Sequence, residues 1–289
     1  MDRCALAGLG CTAILIACYS GALWSLAVRS AATDLNSYIL LVPFISAYLL
    51  FARRKYLPAT RTSSPLFATA FFAAGILLLA ATRIQAASAH ALSQNDSLAL
   101  TTLSFLLLLT AIGFFFLGTQ WMSAAAFPIG FLIFLVPLPD CAVVWLETGF
   151  KLASADAAHF MFLLSGTPVS RDGTIFQLPG IAFEVAQECS GIRSSLALFI
   201  TSLVASFVFL KSPWRRALLV VFVIPLGILR NGFRIWVIGQ LCVHFGGGMI
   251  HSVIHTKGGP LFFVVSLVPL VVLLWFLRRG ELKISPQKG

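Results

Sequence analysis

Glu188-Cys189-Ser190-Gly191-Ile192-Arg193-Ser194-Ser195 is a compact polar cluster that runs directly into the apolar stretch 190–210. About 20 apolar residues are what a helix needs to cross hydrocarbon, so these eight residues mark the place where a polar segment meets a membrane span. A thiol followed by Ser and Gly at a helix start sits where unpaired backbone N–H groups and the positive end of the helix dipole favour a thiolate. Cys189 is therefore the leading nucleophile candidate. The same eight residues also describe a small buried Cys beside an ordinary helix cap, and the choice between the two depends on where the other polar residues fall.

Composition sets the class. The chain has 289 residues, 59% of them hydrophobic and 10% charged, with a mean hydropathy of +0.95, far more apolar than a soluble domain. Its apolar runs fall at 5–28, 37–52, 66–82, 97–117, 122–138, 190–210, 217–238 and 259–277, which predicts an all-α polytopic membrane protein of about eight spans in a single integral membrane domain, 1–289. The N-terminal run lacks a small-residue cleavage pattern and reads as a retained span. The net charge of +10 comes from short basic groups at the ends of apolar runs and not from one basic face, which argues against a nucleic-acid partner and for cytoplasmic flanks next to membrane lipid. Cys4, Cys11 and Cys18 recur every seven residues, a spacing that one packed helix face explains. The six Cys show no CxxC and no Cys/His metal spacing, so neither a metal nor another cofactor is expected.

Arg53-Arg54-Lys55 with Arg61, Lys211 with Arg215-Arg216, and Arg278-Arg279 with Lys283 and Lys288 mark the cytoplasmic side, and all three groups agree with eight spans and both termini inside. Residues 139–189 then begin and end on the outer face. Within them, 141–164 suits a helix or helix pair lying in the interface. Residues 174–178 and 181–185, rich in β-formers and joined by Pro179-Gly180, suit a hairpin that delivers the chain to Cys189.

The same topology carries other polar residues to that face. Arg230 and Arg234 stand at i and i+4 of the seventh span with Asn231 between them, roughly 26 Å up the helix for Arg234. A lone arginine there simply snorkels to water, but a polar group on one helix face is harder to dismiss. His251 and His255 repeat the i, i+4 spacing just before the last span. Cys189, Arg234 and His255 thus come from three segments at similar depth and supply a nucleophile, a proton-transfer group and a fixed charge. Residue chemistry also leaves open a membrane acyltransferase that uses Cys189, or a transporter whose Arg230 and Arg234 bind an anion. No inverted repeat supports transport.

The chain resembles the exosortase/archaeosortase family. The resemblance rests on Leu41-Val42-Pro43-Phe44-Ile45-Ser46, Pro137-Leu138-Pro139-Asp140, Pro168-Val169-Ser170-Arg171-Asp172-Gly173, Glu184-Val185-Ala186 leading to Glu188-Cys189-Ser190-Gly191-Ile192-Arg193, Asn231-Gly232-Phe233-Arg234, and His255 four residues before Gly259. It implies a membrane cysteine peptidase or transpeptidase, in the cytoplasmic (inner) membrane with its active site outside. Its substrates would be exported proteins ending in a sorting signal made of a short motif, one membrane helix and a basic tail. Cys189 would be the nucleophile, Arg234 the essential arginine and His255 the third member, with Arg230, Asn231, Arg193, Glu184 and Ser190 in support.

Overall fold

The computed structural model describes residues 3–58, 62–88, 92–185, 191–251 and 259–284. Among the described residues, six helices are long and apolar enough to cross a membrane, or up to eight if each of two bent pairs makes one span. The chain is an all-α polytopic membrane protein with one small sheet, and it divides into two compact units, Met1–Val143 and Val144–Gly289.

In the first unit, the run 5–28 is not one straight helix. It forms α1 (Arg3–Cys18) and α2 (Ser20–Ala32), bent by 65°. No proline marks the bend. Instead Tyr19 turns its ring into the core, 5.5 Å from Phe105, and its hydroxyl bonds Ser104 Oγ at 2.8 Å. The second run is longer than 37–52, because a 3-10 segment (Asp34–Leu41) leads into α3 (Val42–Arg53) and the whole reaches spanning length over Leu35–Tyr56. Helices α4 (Pro65–Ala86) and α5 (Gln94–Phe116) pack on each other where Gly75 leaves room for Leu108, and Ser104 Oγ donates to the Gly75 carbonyl. The run 122–138 also breaks, into α6 (Gly118–Ala124) and α7 (Ala126–Phe131), bent by 72°. Here the cause is local: Pro128 cannot donate to Ala124, and its ring crowds that carbonyl, so the helix stops one turn upstream.

The cysteine stripe of α1 is a correction. Cys11 and Cys18 share a face as their spacing requires, but both are exposed. At these two positions the spacing marks an outward face and not a packed one.

In the second unit, 141–164 is one helix, α8 (Asp140–Leu164), followed by β1 (Ser170–Asp172), β2 (Ile175–Leu178) and β3 (Ile181–Glu184). The sheet runs in the order β1-β2-β3 and both pairs are antiparallel. The expected hairpin is therefore three-stranded. β1 escaped the sequence reading because Ser-Arg-Asp carries no apolar alternation. Gly173 and Gly180 make the two turns with φ of +57° and +83°, conformations that favour glycine. Phe176 and Leu178 of β2 and Val185 just beyond β3 bury against Ala155, Ala158 and Phe162 of α8 and Ile235.

Three further spans follow: α9 (Ile192–Phe209), then α10 (Pro213–Val221) continued by α11 (Val223–Phe245), then α12 (Gly259–Ile284). Pro225 stands four residues after Val221, which is why α10 ends there, by the same rule as Pro128. Leu198, Leu219, Val223, Leu226 and Leu270 form their common core. At one end of this bundle the backbone N–H groups of Lys211 and Ser212 donate to Glu281 and Arg215 Nη1 donates to the Leu277 carbonyl at 2.8 Å. Two of the basic groups seen in the sequence thus share one end of the unit.

Candidate active site

The site is built on glycine contacts between α8, α9 and α11. α9 begins at Gly191, in the left-handed region with φ +77°. A Cβ at Gly191 would lie 2.8 Å from the Asn231 side chain, one at Gly227 would lie 2.5 Å from Ser195 Oγ, and one at Gly232 would lie 2.7 Å from Ala157 Cβ of α8. Each is closer than real Cβ contacts come, so glycine at these positions is what lets the three helices meet. Asn231 is buried at 2% exposure against the first turn of α9.

Arg230 lies beneath that turn, at 8% exposure. Its Nη2 donates to the Gly191 carbonyl at 3.1 Å and to Ser195 Oγ at 3.2 Å. The same carbonyl accepts from Ser195 N at 3.0 Å and from Ser194 Oγ at 3.2 Å. Nη1 of Arg230 has no hydrogen-bond partner among the described residues, and no described carboxylate pairs with it; the ion pairs there are Lys151–Glu184 and Arg171–Asp156. A buried guanidinium with no counterion among the described residues sets a positive charge at the start of α9, one that favours negative charge nearby. Arg234, one turn further along α11, is half-buried, and Arg193 is exposed on the first turn of α9.

Helix length sets the depth. Pro213–Phe245 is a single 33-residue stretch, about 50 Å at 1.5 Å per residue, whereas the hydrocarbon core is about 30 Å thick. Arg230 and Arg234, 17 and 21 residues after Pro213, stand about 26 and 32 Å up it. Those distances along the helix compare with the thickness of the hydrocarbon core. Beyond the two arginines, Trp236 Nε1 donates to Ser165 Oγ at 3.1 Å and Gln240 Nε2 to Ser165 Oγ and Thr167 Oγ1 at 2.9 and 2.6 Å, tying the projecting end of α11 to the turn between α8 and β1.

Glu184, exposed at the end of β3, accepts from Lys151 Nζ of α8 at 3.1 Å and from Thr174 Oγ1 at 3.3 Å. The hydrogen bond and charge of Lys151 hold its carboxyl below the usual glutamate range. It is occupied with the sheet. Cys189, Ser190 and His255 lie outside the described residues, so of the expected group the structure brings together Arg230 and Asn231 with the start of α9, two residues after Cys189. His251 ends a short 3-10 turn, Gly247–His251.

Two residues outside the expected set also belong here, Ser195 and Lys151. Ser195 stands 35 positions from Arg230 and Lys151 33 from Glu184. No local period links residues so far apart.

The family model for transmembrane exosortase (Exosortase_EpsH) matches residues 28–272. The chain belongs to the transmembrane exosortase family. The match spans α9, α11 and both histidines. Membership implies a peptidase-like integral membrane protein that processes sorting signals on exported proteins. No curated protein and no solved structure matches the chain.

Proposed function

We propose that this exosortase is a cysteine endopeptidase or transpeptidase that cleaves C-terminal sorting signals on the outer face of the cytoplasmic membrane. The Cys189 thiolate attacks the carbonyl carbon of the scissile peptide bond. The tetrahedral oxyanion forms beside Arg234 and collapses as the C–N bond breaks, leaving a thioester on Cys189. His255 gives a proton to the departing amine, which carries away the substrate's membrane helix and basic tail. It then takes a proton from the water or amine that attacks the thioester and frees the thiolate.

The observation that carries this reading is the buried Arg230 on the Gly191 carbonyl. It anchors the helix start two residues beyond Cys189 and sets a positive charge beneath it, the environment that lowers a thiol pKa. Arg230 acts through that helix start, and Arg234, nearer the surface, is placed to meet the substrate. The test is release of the tail from a reporter bearing such a signal. Cys189→Ala should abolish it, and Cys189→Ser should retain little because a hydroxyl yields scarcely any anion at neutral pH. Full release by Cys189→Ala would exclude covalent catalysis at this residue.

A further inference from the structure

The alternation of the sheet leaves β3 with an open edge. Val185 N donates to the Thr174 carbonyl at 3.0 Å, so Val185, Phe183 and Ile181 turn their backbone groups toward β2, in register with Thr174, Phe176 and Leu178. Ala182 and Glu184 must then turn theirs away from it. Both residues are exposed, and among the described residues nothing hydrogen-bonds to them on that side. The opposite edge, β1, offers one outward residue, Arg171.

Proteins commonly blunt an edge strand with lysine, proline or a bulge, because open backbone groups template pairing with another chain. Ile181-Ala182-Phe183-Glu184 carries none of these, and its one charge is engaged by Lys151. The exposed sheet face beside it holds Ala182 and Gln177 in one row and, in the next, Ile175 between Asp172 of β1 and Glu184. β3 is also the strand that leads to the nucleophile. Cys189 follows Glu184 by five positions, so its Cα lies within about 18 Å of the strand's end whatever path the chain takes.

We propose that the substrate polypeptide docks by adding a strand to the outer edge of β3, pairing through the outward backbone groups of Ala182 and Glu184. The occupant is the extended segment that precedes the substrate's membrane helix. This rests on the reading of the protein as a processor of sorting signals. Main-chain pairing gives sequence-tolerant affinity, and every second substrate side chain lies on the exposed sheet face beside Ala182.

Two measurements test the docking edge on the full-length protein. The probe is a reporter ending in the apolar helix and basic tail of an exported protein from the same cell. Ala182→Pro removes an N–H that the hairpin does not use, and proline is tolerated at such edge positions. KM for the reporter should rise between about two- and tenfold, the worth of one hydrogen bond, with kcat little changed. Ala182→Val keeps the N–H and should raise KM less than Ala182→Pro does; an equal or larger rise would assign the loss to the side chain and overturn the backbone pairing.

The second measurement does not depend on turnover or on the proline variant folding. With Ala182→Cys as the single cysteine of the enzyme, its six native cysteines replaced, single cysteines are walked through the reporter ahead of its helix. Disulfides should form strongly at every second position. Uniform crosslinking, none, or a disulfide between two copies of the enzyme would each overturn the docking edge. Should the parental enzyme release no tail while the alternating pattern forms, the cleavage reading fails and the docking edge stands. The converse result separates the two the other way.

Discussion

Arg230 and Arg234 lie one turn apart on α11 and divide their work by burial. Arg230 is spent on the Gly191 carbonyl and Ser195 Oγ. Arg230→Ala should lower stability by about 1–3 kcal/mol, because it removes two bonds from a charged donor and leaves Ser195 Oγ without its donor, and thermal unfolding in detergent measures this. Arg234 is proposed to meet the substrate, so Arg234→Ala should cut kcat/KM about a hundredfold or more, as loss of an oxyanion donor does, without a matching loss of stability. Arg234→Lys should be nearly as damaging, since an ammonium does not reproduce the planar fork, whereas Arg230→Lys should be better tolerated. Equal sensitivity of activity at both positions would undo the division. The sequence showed the i, i+4 pair and its depth. It did not show the acceptors, because Gly191 and Ser195 are separated from Arg230 by 39 and 35 residues and meet it only once α9 lies on α11.

At the scale of elements, the α9–α11 contact turns on Gly227. A methyl there would lie 2.5 Å from Ser195 Oγ and 3.3 Å from Ser195 Cβ, so Gly227→Ala should cost about 1–3 kcal/mol by overpacking and by pushing Ser195 off Arg230. Removing the obstructing oxygen with Ser195→Ala should return part of that loss. A double variant less destabilised than the sum of the singles is the expected result, and additivity would mean that the two residues do not touch. The hairpin carries a pH dependence of its own. Since Lys151 depresses the Glu184 pKa, the pair's contribution is fully present above the ordinary glutamate value and is lost as pH falls through the lowered one. Hydrogen exchange at the Phe183 and Val185 amides should therefore quicken on acidification below the glutamate range. In Lys151→Met that step should shrink and move up toward the ordinary value. The turn between β2 and β3 was legible in Pro179-Gly180, but the third strand and its tie to α8 were not, because Ser-Arg-Asp and Lys151 pair only across the folded unit.

Over the whole molecule, hydropathy and charge located the apolar runs but missed both bends, for opposite reasons. At Ala125 the signal was present, since Pro128 cannot bond back to Ala124, and a count of apolar residues does not register a missing N–H. At Tyr19 the sequence carried no signal, because the bend follows the ring to Phe105 and Ser104. The proposed topology, with both termini inside and 139–189 outside, makes the last prediction, and burial decides which probes are fair. Arg215 is buried, at 7% exposure, and bonded to α12, so a cysteine there reports folding more than sidedness. Lys55 is exposed and belongs to a basic group expected inside. Cys141 is already exposed at the start of α8, in the region expected outside. A membrane-impermeant maleimide applied to intact spheroplasts should label Cys141 in a chain whose other cysteines are replaced. Lys55→Cys, with Cys141→Ser, should label only after the membrane is opened. Labelling of position 55 from outside, or protection of Cys141 until lysis, would turn the topology over and move the start of α9, with its arginine anchor, to the opposite face.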